Sequence, residues 1–232
     1  MSQQALFVWG GWEGHEPKQS VDLIAPLLRS AGLDVTVRDT LAALNDSESL
    51  RQYAVVIPCW TMGQLTDRQE RSLVTAVRQG VGLAGWHGGM GDAFRASTDY
   101  QFMVGGQFVA HPGGIIDYRV EIVDSTHPIT RGVNDFQIRS EQYYMHVDPS
   151  NHVLAVTEFS GEPCAWIVGC RMPVVWTRPF GEGRVFYCSI GHGAEDLRIG
   201  EVREIVRRGI LWAAGASPDA GGGGVGTAEV AS

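Results

Sequence analysis

Lysine is almost missing: Lys18 is the only one in 232 residues. Arginine supplies the rest of 18 basic residues, set against 26 acidic ones, for a net charge of −8. An acidic chain with no clustered Lys/Arg stripe is a poor partner for nucleic acid or for an anionic membrane surface. Long hydrophobic runs are missing too; none approaches the roughly 18 residues that a membrane-spanning helix needs. Met1-Ser2-Gln3-Gln4 has no positive charge and no long apolar stretch behind it, so no signal peptide is expected and the expected compartment is the cytoplasm. Cysteine is scarce. Cys59, Cys164, Cys170 and Cys188 have no metal-knuckle spacing and read as reduced thiols packed as small hydrophobes. No internal repeat is visible. A dinucleotide fingerprint is also lacking: after residues 5–9 the glycines Gly10, Gly11 and Gly14 are wrongly spaced, and Glu13 and Glu16 would repel a pyrophosphate. No nucleotide cofactor is expected.

What is present is an alternation of strand and helix. Residues 5–9, 34–38, 54–59 and 81–86 are short apolar or alternating runs. Between them, residues 20–31 place Val21, Ile24, Leu27 and Leu28 on one face, and Thr66-Asp67-Arg68-Gln69 forms a capping box that opens a helix to Gln79. Strands alternating with amphipathic helices predict a mostly parallel sheet flanked by helices, an α/β fold. Asp99 is expected to cap a short helix through Met103, and residues 118–123 and 153–157 read as further strands. Residues 173–177 and 184–190 flank a Pro-Gly turn and predict an antiparallel hairpin near the C-terminus. The last helix, about residues 200–214, carries Val202, Ile205, Val206, Ile210 and Ala213 on one stripe. One domain over residues 1–215 is expected, followed by a flexible Gly/Ala-rich tail over residues 216–232.

Histidines stand beside predicted strand ends, where open α/β sheets bind ligands. Gly85-Trp86-His87-Gly88-Gly89 has the glycine spacing of a nucleophile elbow, but with His87 at the centre. Imidazole suits a general base or a metal ligand better than an acyl-transfer nucleophile. His111 lies in a Pro-Gly-Gly loop, Glu141 in Ser140-Glu141-Gln142-Tyr143-Tyr144-Met145-His146, and His192 between Gly191 and Gly193. Neutral imidazoles with a carboxylate can ligate Zn²⁺ or Mn²⁺, and without metal they can serve as acid and base. The candidate catalytic residues are therefore His87, Glu141 and His192, and the candidate metal ligands are these three with His111. His15, Trp12, Trp60 and Tyr143 are candidate substrate contacts. Trp9, Trp86, Trp166 and Trp176 read as core, His127 as a turn residue and His152 as solvated.

These residues resemble the ThuA-like trehalose-utilisation family. The likeness rests on Gly10-Gly11 with Gly14-His15, on the His87 elbow, on Gly106-Gln107-Phe108 with His111-Pro112, and on His127 through Gly132 with Asp135-Phe136. It continues with Glu141 and Tyr143, then residues 173–178, residues 181–187 and Gly191-His192, so it spans about residues 5–214. The resemblance implies a single-domain flavodoxin-like, class I glutamine amidotransferase-like fold. There the elbow normally carries cysteine; His87 in its place implies that glutamine hydrolysis is absent. The family's Asp-Glu before the tyrosine is Ser140-Glu141 here. The resemblance further implies a small-molecule sugar partner, a trehalose-like disaccharide or a 3-keto-sugar. Two functions fit: a metal-assisted hydrolase or lyase, and a non-catalytic sugar-binding or regulatory module. A homodimer is the expected assembly.

Overall fold

The computed structural model describes residues 2–221. β1 (Gln4–Gly11) leads through a 3₁₀ turn to α1 (Pro17–Ser30), β2 (Asp34–Arg38), α2 (Ser47–Leu50), β3 (Val55–Thr61), α3 (Asp67–Arg78) and β4 (Gly82–Trp86). Two short helices follow, α4 (His87–Gly91) and α5 (Thr98–Val104). Next come β5 (Gly106–Ala110), β6 (Ile115–Ile122), β7 (Phe136–Glu141), β8 (Tyr144–Val147), β9 (His152–Glu158), β10 (Arg171–Phe180), β11 (Gly183–Cys188) and α6 (Gly200–Ala213). Nine strands form one sheet in the order β2-β1-β3-β4-β11-β10-β9-β6-β7, and β5 pairs with β8 apart from it. The first five in that order run parallel, and the rest extend the sheet antiparallel. The predicted hairpin is β10–β11, closed by Gly181 at φ 60 and Glu182.

Strand periodicity divides the core into two layers. Ala5 and Phe7 of β1 face one layer, with Val21, Ile24 and Leu28 of α1 and Val202, Ile205 and Ile210 of α6. Leu6 and Val8 face the other, with Leu73, Ala76 and Val77 of α3 and Met103 and Val104 of α5. Each fully buried Val, Leu, Ile, Phe or Met among them contributes about 1.5–3 kcal/mol relative to exposure. α3 starts where the capping box places it: Thr66 Oγ1 accepts from the Gln69 amide at 3.3 Å, and Gln69 Oε1 accepts from the Thr66 amide at 3.0 Å.

Several expectations shift. α1 opens at Pro17, three residues before its predicted start, because proline at the first helical position has no donor to lose. Ser97, and not Asp99, caps α5 through its hydroxyl, which accepts from the Tyr100 amide at 3.1 Å. Trp166 is 84% exposed and is no core residue. His152 opens β9 and its Nε2 lies 3.0 Å from Asp124 Oδ2, so it is tied down instead of merely solvated. The segment after Gly215 is anchored where it is described: Arg207 donates to Pro218 O and Ala220 O, and Arg131 pairs with Asp219 at 2.8 Å. The remainder of the expected tail, residues 222–232, lies outside the described residues. No helix among the described residues is long and apolar enough to cross a membrane.

Candidate functional site

The parallel strands β1, β3, β4 and β11 all end at one edge, and the chain leaving them brings side chains together there. Past β1, the turn Glu13–His15 turns His15 inward. β3 ends on Thr61, whose Oγ1 lies 2.8 Å from His15 Nδ1. β4 runs directly into His87, the first residue of α4. Past β11 come Ser189 and His192. The antiparallel extension delivers the acid: β7 ends on Glu141, far along the sheet order yet against the same edge.

Tight backbone makes this approach possible. Among the described residues, only Glu16, Met62 and His87 take positive φ without being glycine, at 48°, 57° and 44°. Each is a site residue or the direct neighbour of one that touches it, a concentration of strain typical of functional sites. Gly88 is required by closeness: a Cβ there would sit 2.5 Å from the His15 ring.

One ligand atom from each of His15, His87, Glu141 and His192 lies within 4.8 Å of all the others, and three of the four residues are buried. The imidazole centroids are 4.7 Å apart for His15–His87, 5.1 Å for His15–His192 and 5.6 Å for His87–His192. Glu141 is the hub. Its Oε2 is 3.2 Å from His87 Nε2 and 3.3 Å from His192 Nδ1, and its Oε1 is 3.7 Å from His111 Nε2.

The tautomer of His87 follows from its partners. The Ser189 carbonyl, 2.8 Å away, can only accept, so His87 Nδ1 carries the proton. A neutral ring would then aim the Nε2 lone pair at a carboxylate oxygen. Either a proton or a metal cation between the two atoms removes that repulsion. Anchoring one ring nitrogen on a backbone carbonyl is also how metal-ligating histidines are commonly fixed. His192 Nδ1 is buried and close to Glu141, but off the line of a hydrogen bond and without a partner. These are features of a donor set that could hold a cation. Zinc bonds of about 2.0–2.1 Å put tetrahedral donors about 3.4 Å apart. The wider spread here fits a higher-coordinate ion, or requires side chains to close on zinc.

Electrostatics agrees with that reading. Burial, with the neighbouring His87 and His192, pushes His15 down to about 3, so it is a neutral donor at ordinary pH. Burial alone would raise Glu141, but its contacts with His192 and His87 outweigh that and hold it well below the usual carboxylate range. His192 is held above the usual imidazole range by its contact with Glu141, against the opposing effect of burial. The carboxylate's charge acts in that direction whether or not the hydrogen bond closes.

The sequence-derived candidates divide into groups. His87, Glu141 and His192 converge as expected. His15, expected as a substrate contact, belongs to the four-donor set. His111, expected as a ligand, stays outside it, 42% exposed at the rim. Tyr143 is 2% exposed and stacks on His87 with centroids 4.0 Å apart, so it supports the imidazole from beneath. Trp60 packs over Gly10 and Gly63. Trp12 is 47% exposed and stands edge-on to His15 at 4.6 Å, leaving indole surface free beside the cluster. Sequence reasoning missed Thr61, Ser189 and Asp196, which hold the histidines. Two cavities, about 310 Å³ beside Phe94 and Ser97 and about 260 Å³ beside Phe102 and His146, lie away from the cluster. Cys59 and Cys188 are buried thiols pushed up to about 12 by burial, so neither offers a thiolate nucleophile.

Solved structures share this architecture. A ThuA-like protein from Bacteroides uniformis ATCC 8492 is 18% identical with a TM-score of 0.76, covering 93% of this chain and 94% of its own. One from Parabacteroides merdae ATCC 43184 is 17% identical with a TM-score of 0.77, covering 94% and 92%. A cytoplasmic protein from Salmonella typhimurium LT2 is 12% identical with a TM-score of 0.62, covering 88% and 96%. At these identities the likeness concerns the fold. No curated protein matches the sequence. A family model, ThuA, described as trehalose utilisation, matches residues 4–213, and the chain belongs to that family.

Proposed function

We propose that the chain acts on a sugar or keto-sugar as a hydrolase or lyase, with a divalent cation, Zn²⁺ or Mn²⁺, held by His15, His87, Glu141 and His192. The observation that carries this reading is the His87–Glu141 contact: Nδ1 is committed to Ser189 O, so Nε2 and Oε2 face each other across 3.2 Å with room for one cationic partner. When bound, the cation would act as a Lewis acid toward a substrate carbonyl. The chain's own residues supply the rest. His111 stands next to Glu141 but open to solvent, placed to take a proton from the carbon beside a ketone. Tyr143 and Phe108 stack beneath His87 and beside His111 and fix both rings. Trp12 offers its free indole surface to an apolar sugar face.

The test is turnover of a 3-keto-disaccharide, followed by NMR, with protein purified without a His tag. His111→Gln is expected to lower kcat by about 10²–10⁴-fold, the usual contribution of a general base, while disaccharide binding persists. A second reading, a non-catalytic sugar-binding module, is favoured by one observation: cavities of about 310 and 260 Å³ lie away from the cluster, where a small molecule could bind without it. It predicts measurable disaccharide affinity, no turnover, and unchanged affinity in His87→Ala.

A further inference from the structure

Glu141 and His192 are 51 positions apart and reach the cluster from the edge strand β7 and the central strand β11, yet one side chain ties the two segments together. Asp196 Oδ2 accepts the Ser140 hydroxyl at 2.6 Å and the His192 amide at 2.9 Å. Ser140 immediately precedes Glu141 and is 2% exposed, so its hydroxyl needs this acceptor. Asp196 is held in turn. It begins the 3₁₀ turn Asp196–Arg198, its amide donates to Gly193 O at 3.2 Å, and the next residue, Leu197, is fully buried. From the other side, Glu16 Oε2 accepts the Ala194 amide at 3.0 Å, so a second carboxylate clamps the same loop two residues beyond His192.

We propose that Asp196 is a positioning residue for the proposed cation site: it sets the separation of Glu141 and His192 by bonding Ser140 and the His192 backbone at once. This rests on the reading that the cluster holds a cation. Asp196 is not itself among the donors; its carboxylate bonds the Ser140 hydroxyl and the His192 amide. Partners of this kind that orient metal ligands typically change metal affinity about 10–100-fold when removed.

The experiment titrates Zn²⁺ and Mn²⁺ alone into the untagged full chain by calorimetry, alongside hydrogen exchange of the 190–194 amides in chelator. The variants are Asp196→Ala, Asp196→Asn, Ser140→Ala and the Ser140→Ala/Asp196→Ala pair, with Glu195→Gln as an exposed control in the same turn. Asp196→Ala is expected to weaken cation binding about 10–100-fold and to speed exchange of the His192 amide, with the far-ultraviolet spectrum unchanged. Asp196→Asn, which keeps an acceptor oxygen, should recover part of the affinity. The double variant should be no worse than Asp196→Ala alone, because both remove one shared link. Cation affinity and His192 exchange that are both unchanged in a folded Asp196→Ala protein overturn the proposal. If the parent chain binds neither ion, the cation reading fails on its own. The exchange data then decide whether Asp196 still ties down the His192 loop: unaltered protection at His192 refutes that tie, and lost protection upholds it.

Discussion

His15 is held from several sides. Its Nδ1 meets Thr61, its ring is packed edge-on by Trp12 and His87, and Gly88 lies flat beneath it because no Cβ fits. Gly88→Ala should therefore displace the ring while leaving the fold intact. The expected outcome is a folded protein whose cation affinity drops about tenfold or more, read by calorimetry. The site also sets a pH dependence in chelated protein. His15 is lowered from 6.5 to about 3, so the unfolded chain takes up a proton that the folded chain refuses, and stability falls as pH drops from 6.5 towards 3. Glu141 adds to the acid limb: its depressed value contributes stability above 4.5 that is lost as pH falls through the folded value. His192 acts in the opposite sense. Its raised value contributes stability that is complete below 6.5 and lost as pH rises through the folded value. Melting temperature against pH should peak between the two limbs. His192→Gln should flatten the alkaline limb and His15→Gln should soften the acid one; identical profiles for all three proteins would refute the assignment.

At the scale of elements, α3 tests how local chemistry fixes a boundary. Thr66→Ala removes one half of the capping box and should cost about 1 kcal/mol, seen as a lower denaturant midpoint with unchanged slope. Signals of this kind were readable in the chain: the capping box, the apolar runs of β1, β3 and β4, and the glycine turn of β10–β11 all stand where their residues indicate. β7 was legible in principle, since Phe136, Ile138 and Ser140 alternate with outward Gln137 and Arg139, but the alternation covers only a few residues. β5 and β8 were not. They pair only with each other, across about 40 residues, and β5 alone shows no clean period because none of its residues is fully buried. Trp166 failed for a related reason: composition says core, but the short turn Ala165–Ile167 presents its indole outward.

The whole molecule converts strand order into chemistry. Four parallel strands end on one edge and bring His15, Thr61, His87 and His192 there, which the strand-end positions of the histidines foreshadowed. Glu141 could be named with them, but the route by which it arrives could not, because the antiparallel extension that carries it is set by long-range pairing. The exchange of His15 for His111 in the donor set has the same origin: side-chain direction at a loop is decided by what packs against it, here Thr61 and Trp12.

The most direct measurement is the calorimetric titration of Mn²⁺ and Zn²⁺ into untagged, chelator-stripped protein, compared with Glu141→Gln. One equivalent bound with proton release in the parent, and affinity reduced at least a hundredfold in the variant, is the predicted result. Equal, weak binding by both proteins would contradict a cation site built on Glu141.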